Sequence, residues 1–196
     1  MRPPRYRDAG QAFPIYITVV AGLLFLALAY LAVGQAAVNR SGAQTAADAA
    51  ALAAAQQTRD QLAGKWAEDV LDPEKWQDIF EGKGGLDSCW RANELAAQNE
   101  AHLDAKGCQW DGVFRYTVDV KTDKPVGDSI VPGTEDKYAR ASAVAVIEPL
   151  CKPSDGDAGH GKLPRLICKD RDWDLDPDHL ADLPRPEDLF DVHLAD

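Results

Sequence analysis

The chain has 196 residues, and its 21 Lys and Arg against 32 Asp and Glu give a net charge of −11. That acid surplus excludes nucleic acid as the main partner, because phosphate binding needs a basic face. The charge is also unevenly placed: residues 9–39 carry none, and a gap of that length excludes a simple soluble domain.

Residues 1–12 form a short basic leader with Arg2, Arg5 and Arg7. Residues 13–33 are apolar throughout, and as a helix they would span about 31 Å at ~1.5 Å per residue. That matches a hydrocarbon core of about 30 Å. Tyr16 and Tyr30 fall near the two ends, where amphipathic rings favour the interface. A cleaved secretory signal fits less well, because its apolar region is only ~7–15 residues long. The arginines before the span set the direction: the positive-inside rule keeps them in the cytoplasm. The expectation is a single-pass protein of the cell membrane, N-terminus inside and C-terminal region extracytoplasmic.

Residues 34–62 are rich in alanine, the best helix former, so the helix is expected to continue out of the membrane. Gly34 and Gly42 are soft points in it. The alanine run has two readings: plain helix propensity, or a small-residue face that lets another helix approach closely. A small α+β head follows over residues 63–151. Asp72 and Pro73 open a short helix over 73–81, in which Trp76, Ile79 and Phe80 form one apolar stripe. Asp87 or Ser88 caps a second helix, read as Cys89–Ala105 and placing His102 on it. Val113–Lys121 alternates as a half-buried strand, with Phe114, Tyr116, Val118 and Val120 on one face. Tyr138–Ile147 alternates likewise, with an alanine face suited to packing on a helix. The two read as an antiparallel pair on the Cys89–Ala105 helix. Residues 152–196 read as an acidic, Pro- and Asp-rich tail, the composition of a disordered segment. Within it, Leu189, Phe190 and Val192 could form a short docking motif.

Four cysteines, Cys89, Cys108, Cys151 and Cys168, agree with an extracytoplasmic head holding two disulfides. Three pairings are possible. The local one closes loops of 20 and 18 residues. A metal site using Cys151, His160 and Cys168 lacks the C-x-x-C spacing common in structural zinc sites. Asp170, Asp172, Asp174, Asp176 and Asp178 alternate like a calcium loop, but Leu175 stands where the turn glycine belongs and Ala181 where the bidentate Glu belongs. No nucleophile elbow, H-E-x-x-H, Walker or dinucleotide motif is present in the sequence. The reading is therefore of a non-enzymatic protein with no catalytic, metal or cofactor residues and no identified small-molecule substrate.

Gly10-Gln-Ala-Phe-Pro-Ile, the span, and then AQTAADAAALAAA over residues 43–55 resemble the TadE/TadG-like proteins of tight-adherence (Flp) pilus systems, especially actinobacterial members. The resemblance covers roughly residues 7–56. It implies a pilin-like or accessory subunit of a pilus or related secretion assembly, whose partners are the membrane and other membrane subunits. It also implies a helix-packing signature at Ala46, Ala47, Asp48, Ala49, Ala50 and Leu52, and a possible leader-processing site between Gly10 and Gln11. Prepilins of this class carry Glu at the fifth mature position, where this chain has Ile15. The departure favours an uncut anchor over a filament subunit. The competing reading is a membrane-tethered adhesion or ligand-binding module unrelated to pili. The fold expected is α+β: a long N-terminal transmembrane and Ala-rich helix, a small disulfide-containing head, and the tail.

Overall fold

The computed structural model describes residues 12–125, 136–154 and 163–195. A single helix, α1 (Ala12–Glu68), takes up 57 residues. Prolines are absent from its interior after Pro14, and its alanines and leucines are strong helix formers. A 3-10 turn at Pro73–Lys75 leads into α2 (Trp76–Phe80), and α3 is Cys89–Gln98. Strands β1 (Ala101–Trp110), β2 (Arg115–Thr122) and β3 (Arg140–Pro149) follow. The remaining elements are β4 (Cys151–Pro153), β5 (Leu166–Cys168), a 3-10 turn at Leu180–Asp182, α4 (Pro186–Leu189) and β6 (Phe190–Leu194). A four-stranded antiparallel sheet has the order β1-β2-β3-β6, and β4 pairs with β5 beside it.

The core lies between this sheet and the second half of α1. Ala46, Ala47, Ala50, Ala51, Ala54 and Ala55 are fully buried, as are Leu62 and Trp66 further along. They recur at the i, i+3, i+4 spacing of one helix face. Facing them are Tyr116, Val118 and Val120 of β2 and Ala143, Ala145 and Ile147 of β3, which alternate with outward residues as strand geometry requires. Alanine on both surfaces lets helix and sheet approach closely. The alanine run thus has its partner within its own chain.

Buried hydroxyls pin the helix to the sheet. Thr58, Ser88 and Tyr116 are all fully buried. Tyr116 Oη accepts from the Ser88 backbone N–H at 2.9 Å and lies 2.8 Å from Thr58 Oγ1, which is 3.0 Å from Ser88 Oγ. Burial pushes the Tyr116 phenol up, opposed by its hydrogen bonds to Thr58 and Ser88. A dry network of this kind is stabilising only because every member has a partner.

The far end of α1 is clamped by charge. Asp69 accepts from Lys75 Nζ at 2.8 Å and Lys65 Nζ at 3.0 Å, and its carbonyl accepts from Trp76 Nε1 at 3.2 Å. Hydrogen bonds from Lys75 and then Lys65 hold its carboxyl below the usual range. A depressed carboxyl contributes stability that is present above its unfolded value and lost as pH falls through its folded one. Acid unfolding monitored by tryptophan fluorescence should therefore show a stability loss below pH ~4, and Asp69→Asn should flatten that part of the profile. Next along the chain, Gly82 sits at φ +87°, and a Cβ there would meet Val113 Cγ1 at 2.8 Å, so only glycine fits this turn.

Cys89 is joined to Cys108 and Cys151 to Cys168. The first ties the start of α3 to β1; the second links β4 to β5 across the small ribbon. Each closes a loop worth about 3 kcal/mol by the chain-entropy argument. Cys89→Ser with Cys108→Ser should lower the stability of the head by about that amount in a denaturant titration, with no change in membrane partitioning.

Three expectations are corrected. The helix starting at Cys89 stops at Gln98 and not Ala105. Asn99 Nδ2 donates to Leu95 O at 2.8 Å, Glu100 takes a positive φ of 54°, and Ala101 then pairs with Thr122 on β2. Strand pairing overrides the helix propensity of residues 99–106, and His102 lies on β1, with Nδ1 2.7 Å from Asp123 Oδ1. Second, the strand pair is the centre of a four-stranded sheet, and it packs chiefly on α1 rather than on α3. Third, the described part of the acidic tail is folded. Leu189 and Phe190 are fully buried and β6 completes the sheet beside β3. Leu189 and Phe190 are anchors within their own head.

Candidate membrane anchor and assembly surface

Helix α1 changes character along its length while its backbone runs on without a break. From Phe13 to Val33 it is apolar on every side and bare. Phe13 and Phe25 are each 70 % exposed and Tyr30 is 84 % exposed. Thr18 keeps its hydroxyl satisfied within the helix, by Pro14 O and Ile15 O at 3.1 and 2.9 Å. Such a surface is costly in water and stable in hydrocarbon, where a helix satisfies its own backbone. The helix is long and apolar enough to cross a membrane once.

Between the apolar stretch and the head lies a short stalk. Among the described residues Ala43 is the first buried one; Val38 is 73 % exposed, and a Cβ on Gly34 or Gly42 would meet nothing within 4 Å. Nine helical residues, 34–42, rise about 14 Å at ~1.5 Å each. The helix then enters the head, where Gln44 Nε2 donates to Asp48 Oδ1 at 2.8 Å and reaches Ser142 O on β3 at 3.5 Å.

Of the expected packing signature, Ala46, Ala47 and Ala50 face the sheet, while Asp48, Ala49 and Leu52 are only half-buried. Ala49 and Leu52 line a cleft of about 340 Å³ between α1 and α3, together with Gln56, Asp60, Arg91 and Leu95. Gln56 and Asp60 continue the same helix face. The alanine signature therefore divides into an inner face that builds the head and an outer face that stays open.

The other sequence candidates resolve into structural roles where they are described. Arg165 forks onto Asp174, Nε to Oδ1 at 2.7 Å and Nη2 to Oδ2 at 2.8 Å, which holds the Asp174 carboxyl below its ordinary value. Asp172 Oδ1 accepts from the Cys168 backbone N–H at 3.3 Å, and Arg171 stacks 3.7 Å over Trp173. Asp176 accepts from the Asp178 backbone N–H at 2.9 Å. These carboxylates brace turns and ion pairs. Gly10, Gln11 and His160 lie outside the described residues.

No curated protein and no solved structure matches the chain. Residues 10–57, which hold the bare apolar helix, the stalk and the buried alanines, match the Tad family model, described as "Putative Flp pilus-assembly TadE/G-like", and that match supports a pilus-related role for the protein.

Proposed function

We propose that this protein is a non-enzymatic, membrane-anchored accessory subunit of a Flp-type pilus or a related secretion assembly. The apolar part of α1 sits in the cell membrane, the arginines of the leader stay in the cytoplasm, and the head works outside. The observation that carries the reading is the coincidence of three features in residues 10–57: the family match, the bare span and the alanines that root the head. In a protein built this way one continuous helix joins the span to the head, through a stalk that holds Gly34 and Gly42.

The open face of α1 supports the assembly role. It runs from the span along Gly34, Val38 and Gly42 to Ala49 and Leu52 in the α1–α3 cleft. Successive members lie three, four or seven apart, which keeps them on one side of the helix. The spacing suits a helix of a neighbouring membrane subunit lying alongside, with the small residues permitting close approach. The accessory role fits an uncut Gly10–Gln11 bond, given Ile15 where a filament subunit would carry Glu.

The test is the intact mass of the protein purified from its own host's membranes, joined to loss of surface filaments on deletion. A full-length N-terminus with lost filaments supports the accessory role. A start at Gln11 moves the filament-subunit reading ahead of it, and unchanged filaments overturn the pilus reading.

A further inference from the structure

We propose a divalent transition-metal site on the outward face of the sheet, formed by Glu148 of β3 with Asp191 and His193 of β6. The register brings them together: Glu148 stands directly opposite Asp191, and His193 lies two residues along the same strand, opposite Val146. Residues two apart on a strand share a face, so all three side chains project to the same side. All three are exposed, and one ligand atom from each lies within 4.8 Å of the others.

Glu148 and Asp191 set two carboxylates directly across the ladder from each other. Like charges placed directly across an antiparallel ladder are destabilising. Among the described residues, no Lys or Arg forms an ion pair with Glu148 or Asp191. The contact made by Asp191 is with His193, whose Nδ1 lies 3.0 Å from its Oδ2. One imidazole nitrogen and two carboxylates make a mixed donor set. Imidazole suits zinc, copper, iron and nickel, whereas calcium and magnesium favour all-oxygen sites. Zinc is accordingly the expected occupant, with water completing its coordination. It would neutralise the opposed carboxylates and clip β6 to β3. The site is independent of the pilus reading, since it uses no residue of α1.

The experiment uses the full chain in detergent micelles, stripped with chelator and desalted. Zinc chloride is titrated by calorimetry, with magnesium chloride as comparison, and thermal unfolding is followed in parallel. Saturable zinc binding and a raised melting temperature are expected, with magnesium giving neither. His193→Ala should weaken the zinc affinity by about tenfold or more, since even loss of an outer-shell partner costs that much. Glu148→Gln keeps the shape of the strand and should weaken binding in the same direction. His102→Ala, elsewhere on the sheet, should leave it unchanged. Absence of saturable zinc binding overturns the proposal. So does binding that survives both His193→Ala and Glu148→Gln within about twofold, or equal binding of magnesium.

Discussion

Removing residues 186–196 will abolish cooperative unfolding of the head. Leu189 and Phe190 are both fully buried, and Phe190 packs against Phe80 of α2 with ring centroids 5.4 Å apart. The Leu150 backbone N–H donates to Leu189 O at 2.8 Å, and β6 pairs with β3 from Pro149↔Phe190 to Ala145↔Leu194. Phe190→Ala alone should cost about 3–5 kcal/mol and Leu189→Ala about 2–5. Together they approach the whole stability of a small domain, about 5–15 kcal/mol. The measurement is thermal unfolding by near-ultraviolet circular dichroism in detergent. The truncated chain should show no transition, and each single variant a lowered one. Glu187→Ala, at the surface beside these anchors, should change stability by no more than about 0.5 kcal/mol. A truncated chain that melts like the full one would return these residues to a dispensable tail.

The second large effect concerns the span. Leu24→Arg with Leu28→Arg should expel α1 from the bilayer, because each charge costs about 2.5–3.5 kcal/mol at the centre of a spanning helix. The two together shift the insertion equilibrium by roughly a thousandfold or more, at 1.4 kcal/mol per tenfold. Both leucines are exposed and make no contribution to the core of the head. The head, refolded under oxidising conditions in vitro, should therefore keep its near-ultraviolet spectrum, while the protein made in its host leaves the carbonate-resistant membrane fraction. Retention in that fraction would show that residues 13–33 are not what anchors the chain.

Much of this was legible from residue patterns because the signals were long or strictly periodic. The uncharged run over residues 9–39 announced the apolar helix, and the alternation around Tyr116 and Ala143 placed β2 and β3 within two residues of their observed ends. The errors came where local chemistry competed with tertiary pairing. Residues 99–106 are good helix formers, yet Asn99 and Glu100 turn the chain so that Ala101 can pair with Thr122. Strand propensity depends on such context more than helix propensity does. β6 was hidden by its acidic surroundings, although Phe190, Val192 and Leu194 alternate cleanly with Asp191 and His193. Composition averaged over 45 residues outweighed a five-residue pattern. The division of the alanine signature into buried and open faces needed the structure, because alanine fits both a slim helix–sheet contact and a plain solvent-facing helix.

Hydrogen exchange of the full chain in lipid nanodiscs tests the central claim, that one helix is both anchor and root of the head. Exchange reports local opening, which is rare where side chains are packed and common where they are bare. Amides of α1 from Ala43 to Trp66 should exchange slowly, as should those over 13–33 inside lipid, with residues 34–42 opening faster between them. Rapid exchange over 43–55, matching that of 34–42, would contradict the account, because the alanines would then not be the core of the head.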